Sequence, residues 1–364
     1  MIVLIIASII ALLCVYLKQR KKYVYGLEAA FIITTILAAI HYDFGPDYMV
    51  YYGFFNNWTR YVELSFNLSD MQEVFKDPGW VILCLLFKPI GFFGMVAVLS
   101  VVQNYIYYSF IKKNVPINYW TLAFFIYVFT MDLYPINMSM MRQGLTVALF
   151  VYALPKIFEK KWLPAILPLL LAISIHKTAL ALLPFLLLGF LRINRGKVFS
   201  VALLSLFLFM VINREDLGFI LKPLDAFEDI SEKLDRSAVS YGQLDSFGVG
   251  FALKSIPFVI GLWYIWKGDK RNSYNKSVVA VASIGFLFIP LASQVYMLQR
   301  MYIYFQALTI ATVPVSYSVI KEKGVRLLLY AVFVFMTLLE YSTLITAPSY
   351  ARAFSEFHTI FEVL

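Results

Sequence analysis

Long apolar runs, separated by short clusters of lysine and arginine, set the organisation of this chain. Twelve such runs can be drawn, at about 1–17, 24–41, 89–111, 118–135, 138–157, 162–175, 178–191, 198–213, 249–266, 277–292, 297–319 and 326–345. Several are shorter than the roughly 20 residues that a perpendicular membrane crossing needs. The pair 162–175 and 178–191 could therefore form a re-entrant hairpin, which leaves the topology unchanged. The expectation is an all-α fold: a polytopic helix bundle forming a single transmembrane domain over residues 1–364.

Composition agrees with that pattern. The 364 residues are 61% hydrophobic and 15% charged, with a mean hydropathy of +0.75, which a soluble domain of this size does not tolerate. The net charge of +9 could point to nucleic acid, but the bases fall between apolar runs, as the positive-inside bias predicts. Lys18/Arg20/Lys21/Lys22, Lys112/Lys113, Lys160/Lys161, Arg192/Arg195/Lys197, Lys267/Lys270/Arg271/Lys276 and Lys321/Lys323/Arg326 then mark cytoplasmic loops, with both termini outside. The first run is read as a span and not a signal peptide, because its basic cluster follows the apolar stretch. Cys14 and Cys84 lie in apolar surroundings without zinc-binding or disulfide spacing, and are read as small core residues.

Two long loops fall on the opposite side. In 42–88, Ser69 and Gln72 frame a capping box, and Pro78-Gly79 breaks the chain before an apolar helix from Trp80 to Phe87. This predicts a structured loop with interfacial helices. The segment 214–248 holds eight acids against four bases, which makes it either a solvated acidic surface or a lid. Nucleotide-binding, zinc-protease and calcium-loop signatures are missing from the sequence, as are repeats of 20–50 residues.

Ionisable residues within spans are costly and tend to mark substrate paths. Between Asn137 and Leu188, Arg142, His176 and Lys177 interrupt apolar helix where a lipid span should be, and Glu159-Lys160-Lys161 mark a turn. A helix from Arg142 to Phe158 descends about 24 Å, and one from Trp162 to Ile175 regains about 21 Å, so His176 returns to the depth of Arg142. Lys254, one turn below the outer start of its run, and Arg300 reach the same outer level. Asp43, Asp47, Tyr48, Tyr51 and Tyr52 lie just past the outer end of the second run. Singly, each has a plain explanation: a snorkelling arginine, a histidine satisfied by a carbonyl, an aromatic belt. Together they outline a cationic cavity at headgroup depth. Such a cavity suits an anionic lipid-linked substrate, since arginine binds phosphate oxygens bidentately. ATP is absent outside, so transfer there needs a pre-activated donor such as a polyprenyl diphosphate sugar.

Four stretches carry a further signal: HYDFGPDYMVYYGFF (41–55), MRQGLTVALFVYAL (141–154), LAISIHKTALALLPF (171–185) and QRMYIYFQALTIATVP (299–314), together about a sixth of the chain. In order, spacing and hydropathy the sequence resembles the EpsG-like branch of the Wzy-type bacterial polysaccharide polymerases. The resemblance puts that family's motif residues on Asp47 and Tyr51, on Arg142 and Gln143, on His176, and on Arg300, Tyr304 and Phe305, with Pro46 standing where the family often has a small polar residue.

It implies a membrane glycosyltransferase of GT-C-like architecture in the bacterial cytoplasmic membrane, with its active site facing outward. That enzyme would polymerise undecaprenyl-diphosphate-linked oligosaccharide repeat units of an O-antigen, capsule or exopolysaccharide. Its partners would be the lipid-linked donor and acceptor, membrane lipids, a flippase and a chain-length regulator, with no nucleic acid. No cofactor and no metal is implied, in line with the missing DxD pair. Arg142 and Arg300 would hold the diphosphate, and His176 or Asp47 would take the acceptor proton, the histidine having the better intrinsic pKa, near 6.5. Gln143, Lys177, Tyr51, Lys254 and Tyr304 would bind substrate. A flippase for the same glycans and an O-antigen ligase are the alternatives. Polar side chains gathered at one level, and not near the midplane, favour the enzyme.

Overall fold

The computed structural model describes residues 2–65, 77–190, 195–211, 249–267, 273–294, 296–346, 353–354 and 356–363. They are overwhelmingly helical, and the predicted Ser69–Gln72 capping box and the acidic segment 214–248 lie outside them. The chain divides into two compact units, residues 1–190 with 327–364, and residues 191–326.

In the first unit, α1 (Ile2–Gln19) and α2 (Gly26–Ile40) form an antiparallel pair. Gly26 lets them close up, since a methyl group there would sit 2.0 Å from the Cys14 carbonyl oxygen. After strand β1 (His41–Tyr42), α3 (Tyr48–Ser65) leads towards α4 (Pro78–Phe87). A 3₁₀ turn over Lys88–Ile90 and Gly91, at φ +77°, joins α4 to α5 (Gly91–Asn114).

Then come α6 (Trp120–Phe129), the short α7 (Tyr134–Ser139), α8 (Met141–Phe158), α9 (Trp162–Ile175) and a 3₁₀ segment, Lys177–Gly189. Strand β2 (His358–Thr359) returns to pair antiparallel with β1. The C-terminal segment therefore ends beside the chain just after α2.

Three apolar stretches among the described residues are long enough to cross a bilayer: α1, Pro78–Asn114, and Lys323–Ser342 within α15 (Lys323–Thr346). Shorter apolar helices, α2 and α9 among them, accompany these. The chain is accordingly a membrane protein.

Inside α2, α5, α6 and α7, where water cannot serve polar groups, side chains satisfy one another. Thr34 and Tyr127 each place a hydroxyl 3.0 Å from Asn104 Oδ1, Ser100 donates to the Ala38 carbonyl at 2.8 Å, and Tyr134 donates to the Thr34 carbonyl at 2.7 Å. Interhelical hydrogen bonds of this kind average about 0.6 kcal/mol each in membranes.

The second unit contains α10 (Arg195–Val211), α11 (Val249–Lys267), α12 (Ser273–Gln294), α13 (Tyr296–Ala307) and α14 (Thr309–Ser318). Helices α10, α11, α13 and α14 all pack on α12. Gly285 admits the Phe258 ring and Phe305, whose nearest atoms lie 2.7 and 2.4 Å from where its Cβ would be. The run drawn as 297–319 is thus two helices, with a tighter bond from the Leu308 N–H to the Phe305 carbonyl at the junction. Likewise, the run 118–135 stops at Phe129 and resumes as α7, whose Tyr134-Pro135 start favours a fresh helix.

Candidate functional site

The site grows from the way α4 begins. Asp77 precedes Pro78 at the N-cap position, where an aspartate ordinarily bonds the amides of its own first turn. Here it makes no such cap bond. Its carboxylate turns instead to two other elements, accepting from Arg142 Nη1 on α8 at 2.8 Å and from the Lys177 amide at 3.1 Å. That amide opens the 3₁₀ segment after α9, so it is one of the donors that a helix start leaves without an internal partner.

Gly79 permits this arrangement. A methyl group at that position would lie 2.2 Å from Ser174 Oγ and 2.7 Å from the Ser174 carbonyl carbon. The first turn of α4 therefore seats directly on the last turn of α9, which carries Asp77 up to His176. The two are at ion-pair but not hydrogen-bond distance, with His176 Nδ1 3.7 Å from Asp77 Oδ2.

Arg142 is held from another side by Tyr51 on α3. Its Nε lies 3.4 Å from the tyrosine oxygen, and its guanidinium carbon 5.5 Å from the ring centre. The Tyr51 ring packs edge-on against the fully buried Trp80, 5.3 Å away. The side chains of Asp77 and His176 are 9% and 10% exposed, whereas that of Arg142 is 22% exposed. Arg142 is thus the most exposed of the three. Burial works to raise the Asp77 carboxyl, but His176, Arg142 and the Lys177 amide outweigh it and hold the group below the usual carboxylate range.

Around this core stands the loop 43–47. Gly45, at φ +87°, leaves no room for a side chain, because a methyl group there would meet Ser139 Cβ and Oγ at 2.3 Å. Asp47 starts α3: its carbonyl accepts from the Tyr51 amide at 3.2 Å, and its own amide lies 3.4 Å from Ser139 Oγ. His41 is buried, with Nδ1 2.6 Å from the Ala38 carbonyl and Nε2 2.9 Å from the Met138 carbonyl.

Of the residues singled out from sequence, Tyr51, Arg142, His176 and the backbone of Lys177 meet around Asp77. Gln143 is buried beside Arg142 on α8. Asp47 stands at the edge, anchored through its backbone. Arg300 and the buried Tyr304 lie on α13 of the second unit. Lys254 lies on α11, with its side chain outside the described residues.

Asp77 itself went unselected in the sequence. The available signal was Asp-Pro-Gly-Trp, an N-cap residue before a helix-starting proline, and pattern alone assigns that aspartate to its own helix. Among the described residues, no three His, Cys, Asp or Glu side chains converge as metal ligands do.

The arrangement offers a part-exposed arginine, whose charge suits an anion, and an imidazole that faces the same carboxylate. Comparison with known proteins matches the chain to the EpsG family, whose profile covers residues 24–357. No curated protein and no solved structure matches the chain.

Proposed function

Since the chain belongs to the EpsG family of Wzy-like polysaccharide polymerases, we propose that it joins undecaprenyl-diphosphate-linked repeat units at the outer face of the bacterial cytoplasmic membrane. The proposal includes a GT-C-like arrangement of twelve apolar segments and transfer without a metal. The observation that carries the chemistry is the Arg142–Asp77–His176 cluster, in which an arginine and a histidine share one carboxylate.

In the proposed step, the acceptor hydroxyl oxygen bonds to the anomeric carbon of the donor. The bond from that carbon to the diphosphate oxygen breaks, and the lipid diphosphate leaves with the electron pair. Arg142 stabilises the charge that develops on the leaving diphosphate, the kind of fixed electrostatic help that contributes most to such reactions. His176 takes the hydroxyl proton. Asp47 is the other candidate for that proton, and Tyr51 and Gln143 shape the pocket. Arg300 and Tyr304 carry their expectation from their own sequence motif, independently of this cluster.

The test is purified protein in lipid or detergent with synthetic lipid-linked repeat units. A ladder of longer lipid-linked glycans, formed without nucleotide or added metal and in the presence of a chelator, supports the reading. Transfer of a single unit to a different acceptor indicates a ligase, and passage across a vesicle without bond formation indicates a flippase.

A further inference from the structure

We propose that Asp77 is a positioning residue that selects the proton-accepting atom of His176, keeping the proton on Nδ1 so that Nε2 presents its lone pair to the acceptor hydroxyl. The inference rests on the polymerase reading and deepens it. Its basis is that one carboxylate ties together three separate elements. Oδ1 is bound by the amide of Lys177, the residue directly after His176, so the carboxylate is fixed relative to the backbone that carries the ring. Oδ2 is shared, with Arg142 Nη1 at 2.8 Å and His176 Nδ1 at 3.7 Å.

A neutral imidazole donates from one nitrogen and accepts at the other, while a carboxylate only accepts. Once the two draw together, the nitrogen facing Asp77 is the one that bears hydrogen, and Nε2 acts as the base. The 3.7 Å separation is one that closes when substrate arrives, as catalytic contacts commonly do. During transfer the hydroxyl proton moves to Nε2, and the resulting imidazolium faces the Asp77 carboxylate. Asp77 takes no proton itself, in the manner of the aspartate in a serine-protease triad.

Among the described residues, the charged and titratable groups at this cluster include Asp77 before α4, Arg142 on α8, Tyr51 on α3 through its contact with Arg142, and Lys177 next in sequence. Arg142 and Asp77 offset one another, so the ring sees a carboxylate whose direction is set and whose charge is partly balanced.

The chain has only three histidines, at 41, 176 and 358, which makes a direct experiment possible. Protein labelled with ¹⁵N in the histidine rings gives three sets of ring signals, and the set missing from His176→Gln belongs to His176. At neutral pH the wild type should show His176 protonated on Nδ1. Asp77→Asn should move it towards the Nε2-protonated form or a mixture, lower the turnover number at least 100-fold, and shift the acidic limb of the rate profile to lower pH, because the carboxylate that favours the imidazolium is gone. Asp77→Glu should restore part of the rate and the Nδ1 signature.

A wild-type ring protonated on Nε2, or an Asp77→Asn protein with unchanged tautomer and pH profile, would overturn the assignment. Should Asp77→Asn fail to fold, the wild-type tautomer decides alone. Failure of the wild type to build any ladder counts against the polymerase reading instead, and the ring signals separate the two.

Discussion

Two buried histidines sit near the same end of the first unit, and their surroundings differ in kind. His41 is enclosed completely, both ring nitrogens face backbone carbonyls, and burial pushes its pKa down to about 4 against the pull of those carbonyls. It joins the end of α2 to α7, and the Tyr48 hydroxyl donates to its own carbonyl at 3.0 Å. His176 faces a carboxylate and, through it, a part-exposed arginine. Both ring nitrogens of the first histidine meet backbone carbonyls, which cannot change charge. The second meets groups that can trade partners with a substrate. Burial alone does not separate structural from chemical histidines in a membrane; the ionisable company of the ring does.

This contrast can be broken in several ways, the largest effect first. Arg142→Lys keeps the positive charge and loses the planar fork, and turnover should fall about 100-fold or more, the scale of one lost donor at a developing anion. The check is turnover per mole of monodisperse protein. Normal polymerisation by the lysine variant would reduce Arg142 to a headgroup anchor.

The next effect is on stability and belongs to His41. A folded pKa of about 4 against about 6.5 when unfolded means that the unfolded chain binds the extra proton first. Stability is therefore intact above about pH 6.5 and declines as pH falls towards 4, by about 3 kcal/mol in all. Thermal unfolding in detergent should show that decline, and His41→Gln should flatten it. Asp77, whose pKa is depressed, adds its own loss only at still lower pH, so the two windows are distinct.

Gly79→Ala comes third. Its methyl group would collide with Ser174, costing about 1–3 kcal/mol as overpacking does, and it should lower activity further by lifting Asp77 away from Lys177 and Arg142. Gly53→Ala, which meets nothing within 4 Å, is the control. The smallest effect is Thr34→Val in the neutral network around Asn104, expected to cost about 0.6 kcal/mol with turnover unchanged.

Much of the helical pattern was legible because hydropathy and basic clusters are local signals: α9 runs from Trp162 to Ile175, as its pattern predicts. Helix breaks were less legible. The break at Leu308 lies in charge-free sequence, so period and composition pass over it, and the one at Thr130–Leu133 carries only Asp132, which a long apolar run averages out. The facing of Arg142 and His176 followed from rise per residue and a turn at Glu159–Lys161. What joins them did not.

Asp77 acquires its role by docking against a helix end about a hundred positions away, through a glycine whose value lies in the side chain it lacks. The two-residue pairing of His41–Tyr42 with His358–Thr359 is equally invisible, since two residues carry no period. Asp47 drew attention as the acid of its motif, and in the structure its backbone amide and carbonyl anchor the loop and α3.

The most direct test of the account sets the two histidines against each other in one assay. His41→Gln and His176→Gln are purified to the same monodispersity and given lipid-linked repeat units at pH 7.5, with donor binding measured alongside. The account predicts that His41→Gln builds the ladder at close to the wild-type rate per folded molecule, while His176→Gln binds donor and fails to extend it. Extension by His176→Gln at the wild-type rate, with His41→Gln folded and inactive, would contradict it.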